Sequence, residues 1–234
     1  MAETSIKTPD GSFMAYVAAP KNLAAGKKAP GILVIQEIFG VNKVMRDLCD
    51  GFAAQGYVAL CPDIFWRQEP GVQLTDKTEA EWKRGFEFYQ GFNEAKGVQD
   101  LIASLDHLRK LPSCSGSAGA VGYCLGGKLA YLMATRSNAD CSVAYYGGGI
   151  ENLLGEASAI TKPLLMHIAG DDKYQPKEAQ EKIKAALGRV SSSTVHVYPG
   201  VDHAFARVGG QAWNAAAAKQ ANERTATFFT KHLS

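Results

Sequence analysis

No CxxC pair occurs anywhere in this chain, and its five cysteines are odd in number and irregularly spaced. That pattern excludes a disulfide framework and a structural zinc site, and it makes a reducing cytoplasm the expected compartment. Dense basic clusters are also missing. The 25 Lys and Arg residues stand against 23 Asp and Glu, so neither nucleic acid nor an anionic membrane surface is an expected partner. The longest aliphatic run, Ile32–Ile35, falls far short of the ~18 residues that a membrane span needs. The opening residues, MAETSIKTPDG, lack the basic-then-apolar pattern of a signal peptide, so none is expected. No internal repeat, low-complexity linker or change of composition divides the 234 residues. We therefore expect one domain over 1–234, acting as a monomer, with a core drawn from the 46% of residues that are hydrophobic.

What is present is an alternation of strand-like and helix-like segments. Pro9-Asp10-Gly11 is turn chemistry between two short strand patterns, which predicts an opening hairpin. The apolar run Gly31–Ile35 has the length and continuity of a strand buried on both faces. Val44, Leu48 and Phe52 recur every four residues ahead of Gly56, a helix with its stop. Strand 57–60 is followed by a long loop holding Pro62, Pro70 and Gly71, then by helical patterns over 78–92 and 98–108. Further strands are expected at 118–123, 142–146, 164–169 and 194–198. Helices are expected after Gly126, after Pro176, and from about Gln211 to the end. This order implies crossover connections and a mostly parallel central sheet with helices on both faces. No connection after Cys124 is long enough to form a separate cap domain.

The chemistry gathers around AVGYCLGGK, residues 120–128. Cys124 falls between a predicted strand and a predicted helix, and Gly122 and Gly126 flank it in the G-x-C-x-G form of a nucleophile elbow. Such a turn holds the nucleophile in a strained backbone, and the strand and helix pass so close that the flanking positions must be small. The helix start offers free N–H groups and a positive dipole end, both of which favour a thiolate and an oxyanion. The competing reading is a buried cysteine beside packing glycines. Two later segments weigh against it. Strand 164–169 runs into Gly170-Asp171-Asp172, and strand 194–198 runs into Asp202-His203. Nucleophile, then acid, then histidine is the chain order of α/β-hydrolases. The other histidines, His107, His167, His196 and His232, fall inside strands or helices and are read as structural. Asp202 adjoins His203 and is read as a turn residue; position alone leaves Asp171 and Asp172 both open as the acid. Tyr123, Tyr145, Trp66 and Trp82 are placed either to line a pocket or to fill the core.

The segments QEIFG at 36–40, GYCLGG at 122–127, G-x-D-x-x-x-P at 170–176 and HAFAR at 203–207 together resemble the dienelactone hydrolase family. The resemblance covers most of the chain and implies the α/β-hydrolase fold. It selects Asp172 as the acid, four residues before Pro176. It implies a Cys124–His203–Asp172 triad, Glu37 as a partner of the thiol, an oxyanion hole from the backbone N–H groups of Ile38 and Leu125, and Arg207 holding a substrate carboxylate. No cofactor and no metal are implied. The implied substrate is an enol-lactone bearing a carboxylate. At the place of the family's second substrate-binding arginine this chain has Trp82, followed by Lys83 and Arg84. Either Arg84 or another neighbour reaches the substrate, or Arg207 acts alone, or the substrate differs. Two further functions share these residues: a broad carboxylesterase or thioesterase with no anion requirement, and a non-catalytic hydrolase homologue using Cys124 as a redox sensor.

Overall fold

The computed structural model describes residues 2–233. Its eight strands are hydrogen-bonded in the order β1-β2-β4-β3-β5-β6-β7-β8, and they group by contact density into two compact units, up to Ala120 with Leu233, and Val121–His232.

In the first unit the hairpin expected at Pro9–Gly11 joins β1 (Ala2–Thr8) and β2 (Gly11–Ala18), with Thr8 paired to Gly11. Gly11 has φ 142, which glycine adopts without a Cβ penalty. β2 continues antiparallel onto β4 (Val58–Pro62), and β4 runs parallel to β3 (Ala29–Ile35). Side chains alternate faces along a strand, yet every residue from Ile32 to Ile35 is fully buried, so β3 is covered on both sides. Helix α1 (Lys43–Ala54) packs on β2, β3 and β4. Its buried face is Met45, Cys49 and Phe52, one position round from the predicted Val44-Leu48-Phe52 stripe. Asn42 caps the helix by accepting from the Met45 N–H. α2 (Glu79–Gln90) and α3 (Glu94–Lys110) follow the long loop and lead into β5 (Cys114–Tyr123).

The second unit begins within β5. There α4 (Leu125–Arg136), β6 (Ser142–Tyr145), β7 (Leu164–Ala169), α5 (Lys177–Leu187), β8 (Ser193–Tyr198) and α6 (Ala215–His232) alternate. β6, β7 and β8 are parallel, and β7 is buried throughout. The last helix begins at Ala215 rather than near Gln211. The Asn214 side chain accepts from the Ala217 N–H while the Asn214 N–H is held by the Phe205 carbonyl, so the helix is capped there.

The loop after β4 is anchored by Asp63, whose two oxygens accept from the N–H groups of Phe65 (3.0 Å) and Gly71 (2.7 Å). Burial pushes its carboxyl above the usual range, partly offset by these two bonds. Asp63→Ala leaves two backbone donors unpaired, so we predict a loss of about 1–3 kcal/mol in urea unfolding. Wild-type stability in that variant would show that the clamp contributes nothing.

Candidate active site

Cys124 sits between β5 and α4 with φ 56 and ψ −116, a backbone conformation that costs on the order of 1–3 kcal/mol in a non-glycine residue. It is held there from both sides. Its N–H donates to the Tyr145 carbonyl at 3.1 Å, and its own carbonyl accepts from Gly127 (2.9 Å) and Lys128 (3.2 Å). The glycines supply room: a Cβ on Gly122 would overlap the Gly126 carbonyl, and one on Gly127 would overlap the Tyr145 carbonyl. Leu125 opens α4, where N–H groups have no partner within the helix. Among the described cysteines Cys124 alone is not buried, and all five are free thiols.

Asp172 follows β7 and His203 follows β8. His203 Nδ1 and Asp172 Oδ2 are 2.8 Å apart, with both side chains nearly or fully buried. Asp172 Oδ1 accepts from the Tyr174 N–H at 2.8 Å, so the carboxylate is fixed at both oxygens. The two acids left open by position are separated by the geometry. The exposed Asp171 side chain meets Lys177 at 3.5 Å, and only Asp172 reaches the imidazole. Asp202 accepts from the His203 backbone N–H at 2.6 Å, a turn contact.

The acid loop is clamped by two residues that sequence reasoning missed. Gln175, fully buried, donates to the Gly147 carbonyl at 2.9 Å. Gln180 donates to the carbonyls of Ala169, Gly170 and Gln175. Tyr146 and Tyr174, also missed, set their rings edge-on to the His203 ring at 5.2 and 4.9 Å. Tyr146 has φ 38.

Burial is the largest influence on His203 and opposes its charged form. The charge of Cys124, the hydrogen bond donated to Asp172, and the weaker bond and charge of those same two residues outweigh it and push the imidazole up to about 10. Nε2 is buried and makes no hydrogen bond of ordinary geometry, although Cys124 is close enough for its sulfur to act on the ring. The arrangement can hold a proton on His203 beside the sulfur.

The remaining expected site residues are distributed as follows. Glu37 and Ile38, just past β3, are buried, as is Arg207. Neither charge is the solvated loop residue that its position would allow. Arg84 is half exposed and bonded to the carboxylates of Glu69 (2.6 Å) and Glu87 (2.9 Å), so an anion would have to displace both. Trp82 donates to the Asp76 carbonyl at 2.9 Å and packs against Phe39 and Phe86. Tyr145, read as either pocket lining or core and a candidate substrate contact, is fully buried. Its ring stacks on Tyr123, and its hydroxyl is committed to Thr225 (2.6 Å) and Asn222 (3.0 Å).

A mostly parallel sheet with Cys124 on the turn after β5 and Asp172 and His203 on the loops after β7 and β8 is the arrangement of an α/β-hydrolase. The model of the dienelactone hydrolase family matches residues 13–233, so the chain belongs to that family and is a hydrolase of its type. A protein of Azospirillum brasilense, provisionally named a carboxymethylenebutenolidase, is 54% identical over 98% of this chain and 99% of its own length. The carboxymethylenebutenolidase of Pseudomonas putida is 39% identical over 96% of this chain and 94% of its own. A crystal structure from Klebsiella pneumoniae, provisionally assigned as a dienelactone hydrolase, superposes with a TM-score of 0.86 at 28% identity, covering 98% of both chains.

The electrostatic account predicts a measurable dependence of His203 on the sulfur. In Cys124→Ala burial is opposed by Asp172 alone, so the His203 pKa, followed by NMR titration of its ring protons, falls at least one unit below the wild-type value near 10. An unchanged value would mean that the sulfur carries no charge the imidazole can sense.

Proposed function

We propose that the protein hydrolyses a carboxylate-bearing enol-lactone through a Cys124–His203–Asp172 triad and a thioester acyl-enzyme, on one hydrolase domain over 1–234 in a reducing cytoplasm, as a monomer. The observation that carries this reading is the buried 2.8 Å pairing of His203 with Asp172 in the same unit as a strained, accessible Cys124.

The Cys124 thiol gives its proton to His203, and its sulfur attacks the lactone carbonyl and forms a C–S bond. The ring C–O bond breaks, and the enol oxygen leaves with a proton from His203. Asp172 holds the imidazole in the orientation that presents Nε2 to the reacting atoms. Water then gives a proton to His203 and its oxygen to the thioester carbonyl; the C–S bond breaks and a new carboxylate is released. An enol departs far more readily than an amine, so a cysteine nucleophile suits this substrate. The substrate's own carboxylate and the new one make the product a dicarboxylate. From the family resemblance we assign the oxyanion contacts to the Leu125 and Ile38 N–H groups, control of the thiol to Glu37, and the substrate carboxylate to Arg207. The engagement of Arg84 by Glu69 and Glu87 favours Arg207 as the sole arginine for that carboxylate.

Cys124→Ala is expected to fold and to lose at least about 10³-fold in kcat on a carboxylated enol-lactone. Arg207→Lys keeps the charge but loses the two-point fit to a carboxylate. It should raise KM for the anionic lactone about tenfold, ~1.4 kcal/mol, while leaving a neutral p-nitrophenyl ester within about twofold. Retained hydrolysis in a folded Cys124→Ala protein would refute the nucleophile. Equal effects of Arg207→Lys on the two substrates would refute the anion contact.

A further inference from the structure

Within the second unit, away from Cys124, Asp172 and His203, a groove of about 580 Å³ runs between the edge strand β8, the loop before it and helix α6. Its polar lining joins two permanent cations, Arg224 and Lys231, to two titratable imidazoles, His196 and His232. His196, Arg224, Lys231 and His232 face it, against a single carboxylate, Glu223, which lies 3.8 Å from Lys219. Among the described residues neither Arg224 nor Lys231 has a carboxylate within ion-pair distance, and neither imidazole bonds one. Elsewhere Arg67, Arg84 and Arg136 all hold carboxylates. Arg224 instead meets a neutral oxygen, the Tyr198 hydroxyl at 3.0 Å, with its guanidinium over the Tyr198 ring. Aligned, unanswered positive groups in a concavity are disfavoured unless an anion joins them.

The positive groups form two poles. His196 and Arg224 make one. Lys231 and His232 make the other, seven and eight residues further along α6, about 10 Å at 1.5 Å per residue. The i, i+4 and i+8 spacing puts Arg224, Phe228 and His232 on one face of the helix, and Phe228 lies between the poles with its ring 4.7 Å from that of His232. Pro163 and Leu165 add further apolar lining. A phosphate would satisfy one pole and leave the apolar middle and the other pole bare. We propose that this groove is a second binding site, distinct from the catalytic centre, for an elongated organic dicarboxylate whose apolar body lies on Phe228 and whose two carboxylates reach Arg224–His196 and Lys231–His232.

The two histidines report on occupancy. Burial and then the Arg224 charge hold His196 below its ordinary value; burial and then Lys231 do the same to His232. Both are therefore largely neutral near pH 7, and an anion between the poles stabilises both imidazolium forms. Among the described residues Glu223 is the one acid lining the groove, and the neighbouring His167, held well below its ordinary value by burial, stays neutral.

The test titrates the protein with suberate, octanoate and inorganic phosphate at matched ionic strength, following the His196 and His232 ring protons by NMR. These probes are read at the groove, so binding at the catalytic centre does not interfere. Suberate should raise both histidine pKa values and bind at least tenfold more tightly than octanoate, which has the same apolar body but one carboxylate. Arg224→Gln should weaken suberate at least tenfold. Lys231→Gln, at an exposed position, should bring suberate to the octanoate level while leaving hydrolysis and the near-UV spectrum unchanged, which separates lost binding from lost fold. Failure of suberate to shift either histidine, equal binding of suberate and octanoate, phosphate matching suberate, or full suberate affinity in Lys231→Gln would each overturn the proposal.

Discussion

The hydrogen bond between His203 Nδ1 and Asp172 Oδ2 decides what the rest of the site can do. An imidazole as buried as His203 would on desolvation alone remain neutral at every physiological pH. The charge of Cys124 and the bond to this carboxylate together reverse that preference, and the bond fixes which ring nitrogen is free. Much of the surrounding structure serves to keep that one contact short. The Tyr174 N–H occupies the other carboxylate oxygen, Gln180 gathers three carbonyls of the acid loop, and Gln175 ties the loop to Gly147 at the end of β6. The histidine loop adjoins β8, which is registered residue for residue on β7. Ordered pairing of two parallel strands thus sets the distance between an acid and a base 31 residues apart.

Strain at Cys124 is the counterpart of this rigidity. A positive φ in a non-glycine residue persists only where its surroundings over-determine it. Here a backbone donor and a backbone acceptor of Cys124 are both satisfied, and two glycines leave no space for relaxation by side-chain packing. The sulfur is consequently presented at the start of α4 with a favourable dipole rather than folded into the core, where Cys49, Cys61, Cys114 and Cys141 lie. The sign of the pairing also bears on pH. His203 is raised above its ordinary value, so the stabilisation it gains from its anionic neighbours is full below about 6.5 and is lost as pH rises through about 10.

The order of elements was legible because the central strands are buried on both faces, which writes them as mainly apolar runs: Ile32–Ile35, and Leu164–Ala169 with His167 as its one polar residue, needed no tertiary information. The elbow was legible because steric closeness demands glycine at fixed offsets. Helix faces were less so. In α1 the buried stripe is shifted by one residue because Met45 and Cys49 pack as well as Val44 and Leu48 would. Position could not choose between Asp171 and Asp172; only the loop's geometry turns one to solvent and one to His203. Gln175 and Gln180 carried no pattern at all, since a glutamine clamp is defined by carbonyls that converge only in three dimensions. Tyr145 was left open between pocket wall and core. Its neighbourhood to the elbow suggested a pocket wall, but its partners, Thr225 and Asn222, come from a helix far along the chain.

The central claim is that Cys124 carries the acyl group covalently. Rapid-quench intact-mass measurement during turnover of a carboxylated enol-lactone tests it most directly, with the site located by peptide mapping at low pH to preserve a thioester. The account predicts a transient mass increase equal to one intact lactone, because ring opening releases no fragment, mapped to the peptide containing Cys124 and removed by hydroxylamine. Turnover at full rate with no adduct on Cys124 at any quench time, in a protein whose water-addition step has been slowed by deuterium oxide, would contradict it.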